Sequence, residues 1–379
     1  MEHNAYNVPG EAALDPAFDP VPDRARKGRG AVGNATGRFE PYTRHRVDDG
    51  WRAGNPLAGD PPPLATTVTI DTSRTALARN DSPDIPFDRS INPYRGCEHG
   101  CVYCFARPTH AWLGLSPGLD FESKLFAKPQ APALLRKALR AKSYDCAPIA
   151  MGTNTDPYQP IEREYRITRS ILEVLAAHAH PVSIVTKSAL VLRDLDILAP
   201  MAARGLVKVA VSVTTLDRGL MRRMEPRAAA PAKRLETIEA LARAGVPTGV
   251  MAAPMIPALN DAELEAILEA ASQAGAREAG YILLRLPLEI KTLFAEWLES
   301  HAPDKAKRVL SLVRQTRGGA LYKSGFHKRM KGEGPYAALL KGRFEAACRK
   351  FGLDHDHGLE LDTSQFVRPL ETERQLSLL

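Results

Sequence analysis

Three of the five cysteines stand together in Asn92-Pro93-Tyr94-Arg95-Gly96-Cys97-Glu98-His99-Gly100-Cys101-Val102-Tyr103-Cys104-Phe105, spaced C-x3-C-x2-C. Thiols this dense are ligand chemistry. Three thiolates suit an iron-sulfur cluster that leaves one iron open to a small molecule, whereas a structural zinc ion needs a fourth ligand, for which His99 or His110 is at hand. Unpaired structural thiols are the third reading. Gly96 and Gly100 admit φ > 0, so the backbone can wrap closely around a cluster. Cys146 and Cys348 stand alone, a layout that argues against a secreted disulfide framework and predicts a reducing compartment, the cytoplasm.

Other polar groups lie where apolar segments stop. Gly152-Thr153-Asn154 follows an apolar run over 147–151, Lys187 follows another over 182–186, and Ser212 and Thr214 share one side of a third by the period of two. Taken singly, each also reads as an ordinary turn or surface residue.

The elements that must position these groups follow from hydrophobic period. Short apolar strands over 147–151, 182–186, 207–213, 248–252 and 281–286 alternate with amphipathic helices over 161–178, 190–204 and 232–244. Asn260 and Glu263 have capping-box spacing ahead of a helix whose Leu264, Ile267, Leu268 and Ala271 face inward. A strand at 90–92 and a helix over 132–143 bring the count to six βα units, with an edge strand over 66–70. Such alternation predicts a parallel sheet covered by helices, with chemistry on the loops at the carboxyl ends of the strands. The cysteine loop falls on that edge.

Three regions emerge. Residues 1–64, rich in Pro, Gly, Asp and Arg and lacking any period, predict a disordered, flexible basic arm; its Arg24-Ala25-Arg26-Lys27-Gly28-Arg29 piece reads as a solvated tail or a phosphate contact. Residues 65–287 hold the six βα units, a number that closes only part of an eightfold barrel. Residues 288–379 predict an α-helical extension, with helices over 289–300, 305–314 and 336–351 packed on the barrel's open side. His355-Asp356-His357 reads as a solvated turn or as part of a metal site lacking its third ligand. The net charge of +7 permits an anionic partner. No apolar run approaches the ~20 residues of a membrane span, and the basic-then-apolar start of a signal peptide is missing, so no membrane role is expected.

With Tyr103 directly before the last cysteine, the triad resembles the signature of the radical S-adenosylmethionine (SAM) enzymes. Segments 92–105, 152–162, 185–188, 212–227 and 253–261 together resemble the spore photoproduct lyase-like branch, whose members are often labelled DNA repair photolyases. The resemblance implies a partial (β/α)6 TIM-type barrel in which Cys97, Cys101 and Cys104 hold a 4Fe-4S cluster whose open iron chelates SAM. It implies Tyr103 near the adenine, Gly152, Thr153 and Asn154 at the SAM amino group, and Lys187, Ser212, Thr214 and Arg227 at the carboxylate and ribose. A lyase-like radical reaction, a reductant such as flavodoxin or ferredoxin, and a nucleic-acid substrate are the further implications. Tyr158, Tyr322 and His327 are candidates for radical relay or proton transfer.

The resemblance departs at one place. The branch's true lyases carry a hydrogen-returning cysteine just after the second strand, where this chain has Gly152-Thr153-Asn154; Cys146 lies before that strand. Thymine-dimer reversal by that route is therefore not implied. The segment 321–334 interleaves basic, aromatic and glycine residues and reads as a nucleic-acid contact, a hinged lid or a basic surface loop.

Overall fold

A computed structural model describes residues 23–43, 63–354 and 360–369. His355-Asp356-His357 lies outside the described residues, as do 1–22, 44–62 and 370–379. The strands are β1 (Thr67–Ile70), β2 (Leu77–Arg79), β3 (Arg89–Ile91), β4 (Tyr94–Arg95), β5 (Lys124–Ala127), β6 (Ile149–Met151), β7 (Val182–Thr186), β8 (Val207–Ser212), β9 (Thr248–Met255) and β10 (Glu278–Leu283).

A seven-stranded sheet runs β10-β9-β8-β7-β6-β3-β2. All neighbours pair parallel except β2 with β3. Because β10 and β2 remain edges, the sheet is an arc of barrel rather than a closed one. Its buried wall is aliphatic: Ile184, Val209, Val211, Val250 and Ala252 have at most 1% exposure. Helices Ala131–Arg140, Ile167–Ala177, Leu195–Ala202, Pro231–Arg243 and Leu264–Gln273 cover the outer face, each through the apolar stripe that its period predicts. The mixed α/β barrel is thus the expected fold.

Three local expectations are corrected. The helix expected over 161–178 is broken at Arg166, which adopts φ 49°; the carboxylate of Glu162 then accepts from Thr168 N at 3.0 Å and caps the following helix. The last strand begins three residues earlier than expected, at Glu278, because β9 holds it by backbone pairing (Glu278↔Gly249, Ala279↔Val250) rather than by an apolar run. Leu284 and Leu286 instead leave the sheet and enter a second core. Finally, β1, β5 and β4 form a separate small sheet beside the cysteine loop, whose parallel β1–β5 pair joins Thr67 to Lys124 across a long stretch of chain.

The arm and the extension both meet this body. Within 23–43, Arg29, Ala31 and Val32 are buried, so that part of the arm is packed and Arg29 is not a solvated cation. Helices Ile290–His301 and Pro303–Gln315 build the second core, in which Phe294, Trp297, Val309 and Val313 meet Cys101, Val102 and Tyr103 of the cysteine loop. Trp297 Nε1 also donates to Arg223 O at 2.9 Å. Helix Pro335–Phe351 covers β10, with Phe344 placed 4.7 Å from the Tyr281 ring. Among the described residues no helix is long and apolar enough to cross a membrane.

At the opposite end of the barrel from the cysteine loop, His180 is fully buried between Tyr144, whose Oη lies 2.7 Å from its Nε2, and the edge of Phe366 at 5.4 Å. Burial, opposed only in part by the Pro181 carbonyl, pushes its imidazole from 6.5 down to about 4. The unfolded chain therefore binds the extra proton first. Stability from this group is complete above pH 6.5 and is lost as pH falls through about 4, an effect of about 3 kcal/mol. His180→Gln should flatten the wild-type loss between those values in urea titrations. Parallel curves for the two proteins would refute the assignment.

Candidate functional site

The three cysteines follow β3 and β4 at the carboxyl edge of the barrel and lie on the connection from β4 to β5 of the small sheet. Its turns are fastened by backbone bonds: Cys97 N to Phe121 O at 2.9 Å, Gly100 N to Cys97 O at 3.2 Å and Cys104 N to Cys101 O at 3.1 Å. Gly96 (φ 73°) and Gly100 (φ 66°) supply the left-handed turns expected of them. Gln159 clamps the loop from β6's side, donating to Gly96 O at 3.1 Å and accepting from Glu98 N at 2.9 Å. Arg107, wholly buried, donates to Cys101 O at 2.8 Å and Gly100 O at 3.0 Å and pairs with buried Glu122 at 2.5 Å.

All three thiols are free of disulfides; Cys97 and Cys101 are buried and Cys104 is half-buried. Burial pushes each thiol pKa up, with Asp156 adding to the rise at Cys97 and Glu225 at Cys101. Such thiols ionise when a cation pays the desolvation, which suits soft metal ligation rather than exposed redox chemistry. Among the described residues, no three His, Cys, Asp or Glu side chains close around a point as a single ion requires. Thiolates on separate irons of a cluster need no common point, and the donor set fits that group.

Polar residues from neighbouring strand ends converge beside the loop. Lys187 Nζ donates to Ser212 Oγ at 3.0 Å and lies 5.8 Å from the Tyr103 ring centre. The Tyr103 hydroxyl is 3.2 Å from Thr214 Oγ1 and also donates to Glu225, which Thr214 reaches at 2.7 Å. Buried Arg234 pairs with the same carboxylate and donates to Ser212 O at 3.0 Å. Four predicted residues, Tyr103, Lys187, Ser212 and Thr214, thus share one network. Arg227 pairs with Glu98 at 2.7 Å, within the cysteine loop.

Asp156 is a second node. It accepts from Lys187 N and Thr186 Oγ1, both at 2.7 Å, and lies 3.3 Å from His99 Nδ1. Burial alone would raise its pKa; His99 and the hydrogen bonds outweigh that and bring it to about 2.

The 152–155 loop is tied to the end of β3, where Asn92 Oδ1 accepts from Asn154 N at 3.1 Å and Thr153 Oγ1 lies 3.4 Å from Asn92 Nδ2. Gly152 has φ 86°, and a Cβ there would meet Val185 O at 1.9 Å. Gly152→Ala should therefore cost about 2 kcal/mol or more, read by chemical unfolding. A change within about 0.5 kcal/mol would contradict the observed backbone.

The three candidates for radical relay or proton transfer all lie outside this network. Tyr158 is fully buried in the main core, its ring 6.0 Å from the Arg193 guanidinium. Tyr322 lines a cleft of about 520 Å³ with Leu288, Lys291 and Lys323. His327 is exposed, its backbone N donating to Asp84 at 2.5 Å. The surrounding basic segment is internally paired, with Lys323 and Lys328 on Glu333 at 2.6 and 2.9 Å and Arg329 on Asp84.

Sequence reasoning missed Arg107, Glu122, Asp156, Gln159, Glu225 and Arg234. They share no local signal: Glu122 lies within helix Leu119–Ser123, Glu225 directly follows helix Arg218–Met224 and Arg234 lies within helix Pro231–Arg243. It misread Asn260 and Glu263. Asn260 makes no side-chain cap; it accepts from Ile256 N at 2.6 Å and donates to Thr214 O at 2.7 Å, while Glu263 accepts from Thr215 Oγ1 and Leu216 N at 2.6 Å. The pair stitches the β8 and β9 ends together instead.

The profile of the Radical SAM superfamily matches residues 91–271, the stretch from β3 through the helix after β9. An uncharacterized protein of Mycobacterium tuberculosis is 38% identical over 275 residues, 72% of this chain and 77% of that one. One of Methanocaldococcus jannaschii is 31% identical over 174 residues, 46% of this chain and 62% of its own length. Among solved structures, spore photoproduct lyase complexed with dinucleoside spore photoproduct superposes with a TM-score of 0.54 at 17% identity, covering 76% of this chain and 81% of that one. At that identity the likeness concerns the fold. A substituted form of the same lyase, with bound AdoMet and dinucleoside spore photoproduct, gives 0.53 at 16%, covering 76% and 80%. The family profile spans the thiol loop and the strand ends that face it, the Mycobacterium relative extends over most of both chains, and the chain belongs to the radical SAM superfamily.

Proposed function

We propose that this protein is an enzyme that reductively cleaves SAM at a 4Fe-4S cluster held by Cys97, Cys101 and Cys104. The observation that carries the reading is the convergence of Tyr103, Lys187, Ser212 and Thr214 beside those thiols. When bound, such a cluster supplies the electron that splits SAM into methionine and a 5′-deoxyadenosyl radical. The chain's own residues bind and orient. Lys187 offers an ammonium, with Ser212 at 3.0 Å, to a carboxylate, and the Tyr103 ring is steadied through its hydroxyl by Glu225 and Thr214 for packing on a base. Gly152, Thr153 and Asn154 present a loop to an amino group, and Arg227, paired with Glu98, joins the carboxylate side.

The substrate belongs, on this reading, to nucleic acid or its components. Spore photoproduct lyase is solved in complex with a dinucleoside spore photoproduct, and the cleft at Tyr322 carries Lys291 for phosphate and an aromatic ring for a base. A flavodoxin- or ferredoxin-type protein donates the electron in the cytoplasm. The reaction is a lyase-like one, with Tyr322 and His327 as candidates for passing a hydrogen atom or proton; Tyr158, fully buried, is the weakest of the three.

Anaerobic reconstitution with iron, sulfide, reductant and SAM tests the reading. The expected result is 5′-deoxyadenosine in step with cluster content. Stoichiometric zinc without sulfide in anaerobically prepared protein would overturn it.

A further inference from the structure

Residues 29–31 reach the cysteine loop from behind. Arg29, 6% exposed, donates to Glu122 O at 2.7 Å, Leu64 O at 2.5 Å and Thr66 Oγ1 at 3.0 Å. Gly30 N and Ala31 N then donate to the two carboxylate oxygens of Glu122, at 2.9 and 2.8 Å. That carboxylate also pairs with Arg107, whose guanidinium holds Gly100 O and Cys101 O. A second thread runs from Arg29 through Thr66, whose hydroxyl donates to Glu98 at 2.6 Å, to the residue after Cys97.

Sterics set the same register as the hydrogen bonds. A Cβ on Gly30 would stand 1.8 Å from Gly100 O, and one on Gly100 would stand 2.6 Å from Glu122 Oε2. Backbone therefore lies on backbone, with room for hydrogen only. Glu122 and Arg107 are both 0% exposed. Removing the two amide donors would leave a buried carboxylate with Arg107 as its chief partner, and the loop that Arg107 holds would loosen with it.

We infer that Arg29-Gly30-Ala31 is a strap that positions the cysteine loop around its metal group, with Glu122 as the positioning carboxylate through which it acts. What the loop holds rests on the cluster reading above; the strap itself does not. Three thiolates retain a cluster only while their backbone stays within narrow limits, so local opening of the strap sets how fast iron escapes.

Full-length Gly30→Ala and Arg29→Ala are compared with wild type and with Lys27→Ala, an exposed neighbour. Arg29→Ala introduces no clash, so it keeps the test sound if Gly30→Ala fails to fold. After anaerobic reconstitution, iron release to a ferrous chelator should be about tenfold faster in both variants, with global unfolding still cooperative. Arg29→Lys, retaining a cation and a donor, should recover part of the difference. In the metal-free proteins, amide exchange over residues 97–102 should rise in the two strap variants and stay at the wild-type level in Lys27→Ala. Unchanged exchange over the loop overturns the strap whether or not a cluster assembles. If wild type assembles no cluster while exchange responds as stated, the strap stands and the cluster reading falls. Iron release equal to wild type in a protein that does hold a cluster overturns its role in retention.

Discussion

Cys101→Ala is expected to reduce 5′-deoxyadenosine formation by at least about a thousandfold, because losing a metal ligand exceeds the 10- to 100-fold cost of disturbing a ligand's support. Cys97→Ala and Cys104→Ala should match it. Among the described residues, the two histidines nearest in sequence are already engaged: His110 is buried against Phe121 at 5.1 Å, with Nε2 on Lys124 O at 3.0 Å, and His99 Nδ1 faces Asp156 at 3.3 Å. Cys146 and Cys348 lie elsewhere in the main core. Cys146→Ala should therefore retain wild-type turnover, which makes it the matched control. Activity surviving Cys101→Ala while being lost with Cys146→Ala would reverse the assignment.

The second large effect belongs to a residue that touches no thiol directly. Glu225 is 0% exposed and takes the guanidinium of Arg234, itself 1% exposed, together with the hydroxyls of Thr214 and Tyr103. Glu225→Ala strands a buried guanidinium and removes the acceptor that orients Tyr103. Breaking a buried pair from one side costs about 3–5 kcal/mol, so the midpoint of urea unfolding should fall markedly. The double variant Glu225→Leu/Arg234→Met should regain much of that stability, since hydrophobic replacement of both partners removes the stranded charge. SAM cleavage should remain low, because Tyr103 is still unanchored. Recovery of both properties together would show Glu225 to be structural only.

These two residues mark what the sequence discloses and what it hides. Cys97, Cys101 and Cys104 were legible because type and spacing within one loop suffice, and Lys187 and Ser212 because each ends an apolar strand of period two. Glu225 has no such local mark: Arg234 lies a loop away, and Thr214 and Tyr103 belong to other elements. Asn260 and Glu263 mislead for the related reason that a capping box and a cross-loop stitch use the same residue types. The parallel strands were readable from β-branched runs covered by amphipathic helices. The start of β10 is not legible because Glu278-Ala279-Gly280 carries no apolar run and is held in the sheet by its pairing with β9. β1 was legible as an edge strand over 66–70, but β4 and β5 were not, and neither was their sheet with β1, because strands this short are defined by their partners and not by a period. The break at Arg166 was hidden by an apolar rhythm that continues across it.

The second core carries a consequence for the order in which the site is made. Val102, Tyr103 and Cys101 are sealed by Phe294, Trp297 and Val309, residues that follow them by most of the barrel's length. During synthesis the barrel strands and the cysteine loop leave the ribosome well before those helices. At about 5–20 residues per second, the interval is roughly 10–40 s. Through that interval the thiol loop lacks its apolar roof. The three thiols stay open to solvent until the C-terminal helices arrive to cover Cys101 and its neighbours.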